Sequence, residues 1–301
     1  MGTTYKIESI SQLHELMGYE KPKHPLITIF DYSKIKPIVS TIDLHIITSF
    51  YSIGLKNGDS CRTKFGRQYY DFHEGSLVFL SPGQSVFISE EHPEETESNG
   101  WNLCFHPDLI YRSALGKKMN EYTFFTYNSN EALHLSDQEK QKVTEVVYDI
   151  NHEISQNTDE FSQDLIHSYL ELLLSYCKRF YGRQFITRTK VNKEEILRFE
   201  EILKNYFDSD KLKTSGLPSV KFLAQEIGYS PNYLSDLLKK ETGKNTQEHI
   251  HFYLIERAKS MLLGTQKPVN VIAHELGFEY PQHFSKLFKL KTGRSPIEYR
   301  N

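Results

Sequence analysis

Two stretches near the carboxyl end carry polar side chains of the types that bond to the edges of DNA bases. These side chains are Asn232, Ser235 and Asp236 in the first stretch and Gln282, His283 and Lys286 in the second. An amide bonds the adenine edge bidentately, lysine reaches the O6 and N7 acceptors of guanine, and a carboxylate accepts from the N4 amine of cytosine. The residue types therefore predict direct reading of base edges in a major groove.

Cations accompany both sets toward the ends of the same stretches, namely Lys239, Lys240, Lys244, Lys289 and Arg294. Such cations neutralise backbone phosphates and fix the register of a protein on a duplex without reading its sequence. The charge balance agrees with this placement. From Lys190 onward the chain has 18 basic and 14 acidic residues, whereas the part before it has 18 and 25. We therefore expect a polyanion, if one binds, at the carboxy-terminal third.

The two stretches are copies of one pattern. The first, from Ala224 to Gly243, reads AQEIGYSPNYLSDLLKKETG, and the second, from Ala273 to Gly293, reads AHELGFEYPQHFSKLFKLKTG. The copies align at an offset of 49 in their first part and of 50 in their second part. The single inserted residue falls in a predicted turn between two helices, where a helix-turn-helix tolerates it.

Each copy has the local signals of a helix, a turn and a second helix. Gly228 and Gly277 follow the first helix, where a left-handed conformation ends the helix with least strain. Ser230 is a good N-cap, and Pro231 and Pro281 occupy the first turn of the second helix. The inward positions of the second helices are apolar in both copies: Leu234, Leu237, Leu238, Phe284, Leu287 and Phe288.

The outward residues differ between the copies while the inward residues agree, as expected for two modules that read different base sequences. We predict helix-turn-helix units at about 219–241 and 270–291, joined by a long helix at Thr246–Leu263. A helical repeat that contacts another protein has the same local signals. From the residues alone, that alternative stays open.

These residues make the carboxy-terminal third, about 194–301, resemble the AraC-type bacterial transcription regulators. The most specific part is the segment IERAKSMLLGTQKPVNVIAHELGFEYPQHFSKLFKLKTGRSPIEYR. The matching features are Arg257-Ala258, Leu262-Leu263, Ile272-Ala273, Gly277-Phe278, Phe284-Ser285, Phe288-Lys289, Gly293, Ser295-Pro296 and Tyr299-Arg300. The resemblance implies a sequence-specific DNA-binding transcription regulator, not an enzyme, that needs no metal or other cofactor.

The resemblance also implies that the long helix sets two recognition helices into successive major grooves on one face of the DNA. By position, it assigns the base contacts to the six polar side chains named first. Asp236 departs from the basic or amide residue that is usual there and would repel phosphate, so the first unit is expected to add less affinity or to read a cytosine. Tyr280-Pro281 replaces the more common small polar cap, which leaves the start of that helix undetermined by one residue.

The amino-terminal half has the pattern of short strands from Pro25 to about Tyr127. Runs rich in Ile, Val, Phe, Tyr and Thr are separated by turn residues. The segment EGSLVFLSPGQSV, Glu74–Val86, resembles the strand–turn–strand of family members with a cupin-like effector domain. We therefore predict an α+β chain of two domains, with an amino-terminal cupin-like β-barrel, flanking helices and an all-α carboxy-terminal domain.

Between the two domains the pattern becomes helical. Ser136 and Glu139 fit a capping box, and apolar residues recur at helical spacing as far as Tyr181. Such helices can cover the barrel or pair two chains. The predicted organisation is a barrel at 1–135, a helical dimerisation segment at 136–182, a linker without periodicity at 183–193 and a DNA-binding domain at 194–301.

Three roles for the amino-terminal half stay open from the residues. It can sense a small molecule, it can serve only to dimerise, or it can be an alkyl acceptor of DNA repair. Aromatic strand residues such as Phe50 and Tyr70 fit either a ligand pocket or an ordinary core. An alkyl acceptor needs an activated thiol, and Cys61 beside Arg62 and Lys64 is the candidate.

The remaining chemistry of the chain is sparse. The three cysteines, Cys61, Cys104 and Cys177, form no CxxC pair, which favours a reducing compartment. The histidines of the first half are scattered and fit no zinc spacing, so we predict no metal site. No apolar run has the length of a membrane helix, and we expect a cytoplasmic protein. The predicted partners are double-stranded DNA, a second copy of the chain, a small-molecule effector and RNA polymerase.

Overall fold

The computed structural model describes residues 4–34, 44–57, 63–65, 68–70, 75–88, 99–157 and 159–301. The chain divides into two compact units, Met1–Ile186 and Thr187–Asn301. The amino-terminal unit contains sheets and helices, and the carboxy-terminal unit is helical. The predicted combination of a β-rich first part and an all-α second part is therefore confirmed.

The described part of the amino-terminal unit has ten strands. They are β1 (Thr4–Ile7), β2 (Ile27–Asp31), β3 (Leu44–Thr48), β4 (Tyr51–Asn57), β5 (Thr63–Phe65), β6 (Gln68–Tyr70), β7 (Ser76–Leu80), β8 (Ser85–Ile88), β9 (Asn99–Phe105) and β10 (Leu133–His134). Strands β1 and β3 pair in parallel, and the other pairs are antiparallel.

These strands form three sheets, with strand orders β1-β3-β8, β10-β7-β4-β9-β2 and β5-β6. A barrel closes only when every edge strand finds a partner. Within the ranges that the structure describes, β2 and β10 remain the edges of the five-stranded sheet, so the predicted closed barrel is not confirmed. The strand pattern predicted the short runs, whereas closure depends on pairings between distant strands.

Helices lie between some of the strands and form the regular structure described after β10. They are α1 (Ile10–Leu16), α2 (Pro107–Ile110), α3 (Ala114–Lys118), α4 (Asp137–Glu153), α5 (Ser162–Thr187), α6 (Thr189–Asp208), α7 (Lys211–Ser215), α8 (Val220–Ile227), α9 (Pro231–Thr242), α10 (Thr246–Gly264), α11 (Val269–Glu275), α12 (Pro281–Thr292) and α13 (Pro296–Arg300). Sequence patterns missed β1, α1 and α7, which are short elements with few periodic positions.

Helix α4 packs against one face of the five-stranded sheet. The predicted capping box begins it, since Ser136 Oγ accepts from the Glu139 amide at 3.3 Å and Glu139 Oε2 accepts from the Ser136 amide at 2.9 Å. Its apolar stripe, including Val143 and Val147, is buried. The indole of Trp101 on β9 donates to Thr144 of α4 at 3.1 Å. The stripe of α4 therefore serves the core of its own unit.

The predicted irregular linker at 183–193 is wrong, because helices occupy almost all of it. Gln184 is buried, its Oε1 accepts from the His134 amide at 2.8 Å, and its Nε2 donates to the Ala132 carbonyl at 2.9 Å. Arg183 donates to Glu139 at 2.6 Å. These polar residues extend α5 by bonding to its own unit, and polar partners of this kind leave no apolar periodicity in the sequence.

Candidate nucleic-acid interface

The carboxy-terminal unit builds two helix-turn-helix units around one apolar core. Helices α8 and α9 form the first, α11 and α12 form the second, and α10 joins them. The first helices of the two units carry Ala224 and Ala273 at fully buried positions, where a small side chain lets the recognition helix approach closely. The predicted long linking helix is present, with bounds within one residue of those expected from the sequence.

In the first unit, backbone geometry fixes the recognition helix α9. Gly228 has φ +93° and donates its amide to the Ala224 carbonyl at 3.0 Å, which ends α8 in the left-handed conformation predicted for it. Ser230 caps α9 by accepting from the Tyr233 amide at 3.3 Å. Leu234 and other apolar residues of the inner face are buried, so the opposite face of α9 is turned outward.

The second unit repeats this arrangement with different side chains. Gly277 adopts φ +82° in the turn, and Phe284 and Phe288 are fully buried on the inner face of α12. The helix begins at Pro281, and the preceding Tyr280 makes no capping hydrogen bond through its side chain. This assigns the start of α12, which the sequence left undetermined by one residue.

The repeat continues beyond the stretch that the sequence comparison aligned. Thr242 and Thr292 each donate a hydroxyl to a carbonyl four residues earlier, at 2.7 and 2.8 Å. Each hydroxyl also accepts from the amide two residues later, at 3.3 Å in both copies. The next residues, Asn245 and Ser295, form capping boxes with Glu248 and Glu298. Each copy is therefore followed by a third helix, α10 or α13, that begins with the same kind of cap. The N-x-x-E and S-x-x-E spacing in the sequence could have revealed this shared feature.

The predicted base-contact residues lie on α9 and α12. Asn232, Gln282, His283 and Lys286 are exposed, whereas Ser235 and Asp236 are half-buried. On each helix the members recur three or four positions apart, which places them on one face. The Ser235 hydroxyl lies 3.0 Å from the hydroxyl of the buried Thr246. A base contact by Ser235 would therefore have to share this hydroxyl with α10.

Four of the five predicted phosphate-contact residues occupy equivalent places in the two copies. Lys239 and Lys289 lie in the last turns of α9 and α12, and Lys244 and Arg294 follow the glycines that end these helices. These side chains and that of Lys240 are exposed. The ammonium of Lys244 lies 4.2 Å from the centroid of the Phe252 ring, a cation–π contact that holds it beside α10.

The part of the chain that the structure describes offers no competing catalytic centre of the kinds considered above. Within those ranges, no group of three or more His, Cys, Asp or Glu side chains could hold a metal ion. Cys104 and Cys177 are buried, and burial raises the pKa of Cys104 to about 12 and that of Cys177 further still, which keeps both thiols protonated. Cys61, the candidate alkyl acceptor, lies outside the described residues.

Comparison with known proteins agrees with this geometry. A helix-turn-helix domain family model matches residues 223–301. The arabinose operon regulatory protein of Escherichia coli (strain K12) is 33% identical over 92 residues, which are 31% of this chain and 31% of that protein. The carboxy-terminal unit is an AraC-type DNA-binding domain.

Two further matches extend the comparison. The HTH-type transcriptional regulator YijO of Escherichia coli (strain K12) is 26% identical over 233 residues, covering 75% of this chain and 76% of YijO. The C-terminal domain of the response regulator AraT from Geobacillus stearothermophilus is 27% identical, with a TM-score of 0.32, over 35% of this chain and 83% of that one. The AraC-type match makes the chain a DNA-binding transcription regulator rather than an enzyme. In the described ranges, no helix combines the length and the apolar character needed to cross a bilayer.

A contact that the sequence did not predict supports the second helix-turn-helix unit of the AraC-type domain. The segment of α7 and the residues after it lies directly against the turn of the second unit. A Cβ atom placed on Gly277 would lie 2.6 Å from the Leu212 carbonyl oxygen and 2.9 Å from the Gly216 Cα. The Tyr206 hydroxyl donates to the Gly216 carbonyl at 3.0 Å, which holds this segment in place. We call this contact of residues 212–216 with Gly277 the α7 brace.

Two arginines hold helix ends in the same domain. Arg198 on α6 donates to the carbonyls of Glu226 and Ile227 at the end of α8, at 3.2 and 3.4 Å. Arg300 donates to the Leu262 and Lys267 carbonyls, at 3.1 and 2.7 Å, and so ties α13 to the end of α10. Cations near the last carbonyls of a helix also interact favourably with its dipole. These arginines stabilise the frame that carries the recognition helices.

Acidification is expected to destabilise the AraC-type domain through its histidines. Burial, and next the charge of Lys244, lowers the pKa of His249, whose Nε2 lies 2.8 Å from the Thr242 hydroxyl. A histidine with a lowered folded-state pKa binds more protons when unfolded. The free energy of unfolding therefore falls as the pH drops from about 7 through the ordinary value near 6.5.

The measurement is urea unfolding at pH 7.5 and at pH 5.5, comparing the parent with His249→Gln. The amide keeps a hydrogen-bonding partner for Thr242 but does not titrate, so the variant should lose less stability on acidification. Burial also lowers the pKa of His14 and His24 in the other unit, which is why the two proteins are compared at both pH values. An equal loss in both proteins would assign the pH dependence to other groups.

Proposed function

We propose that this regulator reads duplex DNA with two unequal recognition helices, α9 and α12, set into successive major grooves on one face. One observation carries the proposal. The two helices share buried inner faces, glycine ends and following caps, yet they expose different side chains outward. Two helices with the same buried face and different exposed faces are suited to reading two different base sequences.

The linking helix supports this arrangement. Helix α10 has 19 residues, which corresponds to a length of about 28 Å. Successive major grooves on one face of B-DNA are about 34 Å apart. A single rigid helix of this length, supplemented by the α7 brace, suits modules that must reach neighbouring grooves together.

Within this proposal, α12 contributes the larger share of discrimination. It exposes an amide at Gln282 and a cation at Lys286, which pair with adenine and guanine edges. Helix α9 instead presents Asp236, whose carboxylate would repel phosphate and accept only from a base amine such as cytosine N4. The cations after each helix, Lys244 and Arg294, would contact phosphates and set the register.

The test begins with selection of bound sequences from a random duplex pool at a stated salt concentration, followed by variants assayed on the selected site. Lys286→Ala and Gln282→Ala should each reduce the free-energy difference between the selected site and a single-base mismatch by roughly 1–3 kcal/mol. Lys289→Ala serves as the matched control and should weaken binding to all duplexes alike with a smaller salt dependence. Equal losses on every sequence would reassign Lys286 and Gln282 to phosphate.

We infer that the amino-terminal unit controls DNA binding, in the first place by pairing two chains through the helices of 136–182. The two helices differ in whether their apolar residues are buried. The apolar stripe of α4 is buried in its own unit, whereas Leu165 and Leu172 of α5 are exposed, as is Phe161, which lies directly before the helix. Residues at spacings of four and seven share a helix face. These exposed residues, which we call the α5 stripe, support dimerisation, and light scattering at micromolar concentration measures it.

Ligand sensing is the second candidate control, and a polar group on the other face of the five-stranded sheet favours it. There the Ser52 hydroxyl donates to Asn102 Oδ1 at 2.6 Å. Gly54 lets the Tyr32 hydroxyl approach this pair, since a Cβ atom on Gly54 would lie 2.8 Å from that hydroxyl. Polar groups placed among apolar side chains, such as Phe30 opposite Asn102, are typical of a small-molecule site. Asn102→Leu would abolish a response to an effector while leaving DNA binding without effector intact.

The wider setting follows from this role. A regulator that reads chromosomal DNA in a bacterium would act in the cytoplasm, and it would affect transcription by contacting RNA polymerase or by excluding it. We propose that residues 1–135 and 136–182 hold these controls and that 194–301 binds the operator.

A further inference from the structure

A large apolar side chain stands on the recognition face of α12. Leu290 is 77% exposed, although it belongs to the last turns of a helix whose other apolar residues face the core. It follows Lys286 by four positions and His283 by seven, and these spacings return to the same side of an α-helix. Leu290 therefore shares the outward face of the residues that would contact bases.

The equivalent position of the first unit carries the opposite chemistry. At the offset of 50 that aligns the recognition helices, Leu290 corresponds to Lys240, which is exposed. A lysine at this place suits a phosphate oxygen, whereas a leucine has no polar group to offer. The two copies thus differ at this position in kind, and the difference falls outside the shared core.

The chemistry of the major groove supplies one apolar partner. Among the base edges, the C5-methyl group of thymine is the apolar feature that side chains contact. Four residues of helix correspond to about 6 Å along its axis, or about two base steps of 3.4 Å. Leu290 is thus placed to meet a base near the one that Lys286 would read.

We propose that Leu290 reads a thymine by packing against its 5-methyl group, about two base pairs from the base contacted by Lys286. The inference rests on the proposed function, because it requires that α12 lie in a major groove. Leu290 then adds specificity for thymine that no hydrogen-bonding residue of the helix provides.

The experiment replaces each thymine of the selected duplex in turn by uracil, which lacks only the methyl group. With the parent protein, one substitution in the half that α12 contacts should weaken binding about fourfold, the effect of one buried methyl group. With Leu290→Ala, that same substitution should have no effect, while the affinity for the uracil duplex stays that of the parent protein. Ile297→Ala is the matched control, since Ile297 is an exposed apolar residue on α13, outside the recognition helix. It should retain the full sensitivity to uracil.

The outcomes separate this inference from the proposal beneath it. If Lys286→Ala alters base discrimination but Leu290→Ala shows the parent's sensitivity to uracil at every thymine, the proposed role of Leu290 is overturned. The proposal that α12 reads bases in a major groove is then retained. A selected site with no thymine within about three base pairs of the base read by Lys286 would overturn it equally. If the parent protein selects no sequence at all, both the inference and the proposed function fall.

Discussion

Gly277→Ala is expected to lower the stability of the DNA-binding unit by about 3 kcal/mol or more, whereas Gly228→Ala should cost about 1 kcal/mol. Both glycines end the first helix of a helix-turn-helix with positive φ, +82° and +93°, so both substitutions force an L-residue into the left-handed region. They differ in their surroundings. A Cβ atom on Gly228 meets nothing within 4 Å, but one on Gly277 would overlap the backbone of the α7 brace.

The two units allow the effect to be located. Trp101 is the single tryptophan of the sequence and is buried in the amino-terminal unit, so its fluorescence reports on that unit. Far-UV circular dichroism at the helical band follows both. In urea, Gly277→Ala should shift the loss of the helical signal to a lower urea concentration and leave the midpoint of the Trp101 transition unchanged. Equal losses in the free energy of unfolding for Gly277→Ala and Gly228→Ala would show that the α7 brace moves aside without a measurable loss of stability.

Leu165→Glu combined with Leu172→Glu should abolish dimerisation and lower the affinity for DNA with two operator copies by a factor of about 10² to 10⁴. Both leucines are exposed in the α5 stripe, so the substitutions should leave the fold of the unit intact. The loss arises because a paired protein binds its second site as an intramolecular event, and a single chain cannot.

The design separates pairing from DNA contact. Binding is measured on duplexes with one and with two copies of the selected site, and molecular mass by light scattering. The double variant should bind the one-copy duplex with the affinity of the parent protein and bind the two-copy duplex more weakly than the parent does. Gln163→Glu adds one negative charge, against two in the double variant, at an exposed position on another face of α5, and should change neither measurement. A double variant that still scatters as a dimer would show that the chains pair elsewhere.

The sequence predicted the DNA-binding unit far better than the amino-terminal unit. Its signals are local, since a cap such as Ser230 or a left-handed glycine such as Gly228 acts within a few residues of its own position. Two copies of each signal also reinforce each other. The bounds of the two helix-turn-helix units and of the linking helix consequently agree with the predictions to about one residue.

The features that escaped prediction depend on contacts between distant residues. Gln184 looked like a linker residue because its partners, the backbone groups of Ala132 and His134, lie fifty residues earlier. Position 277 has no room for a Cβ atom because of the Leu212 and Gly216 backbone, and these residues lie outside the repeated pattern. The α5 stripe was predicted as apolar, but only the fold separates its exposed leucines from buried neighbours such as Leu173.

The separation of inner and outer faces in α9 and α12 bears on how such a regulator acquires new targets. Phe284 and Phe288 anchor α12 from within, while Gln282 and Lys286 make no contribution to that anchoring surface. Substitutions at the outer positions can therefore accumulate with little loss of folding free energy. If α9 and α12 read the two halves of an operator, as proposed, substitutions on one helix would change the sequence preference of its half while the other helix continues to bind the remaining half.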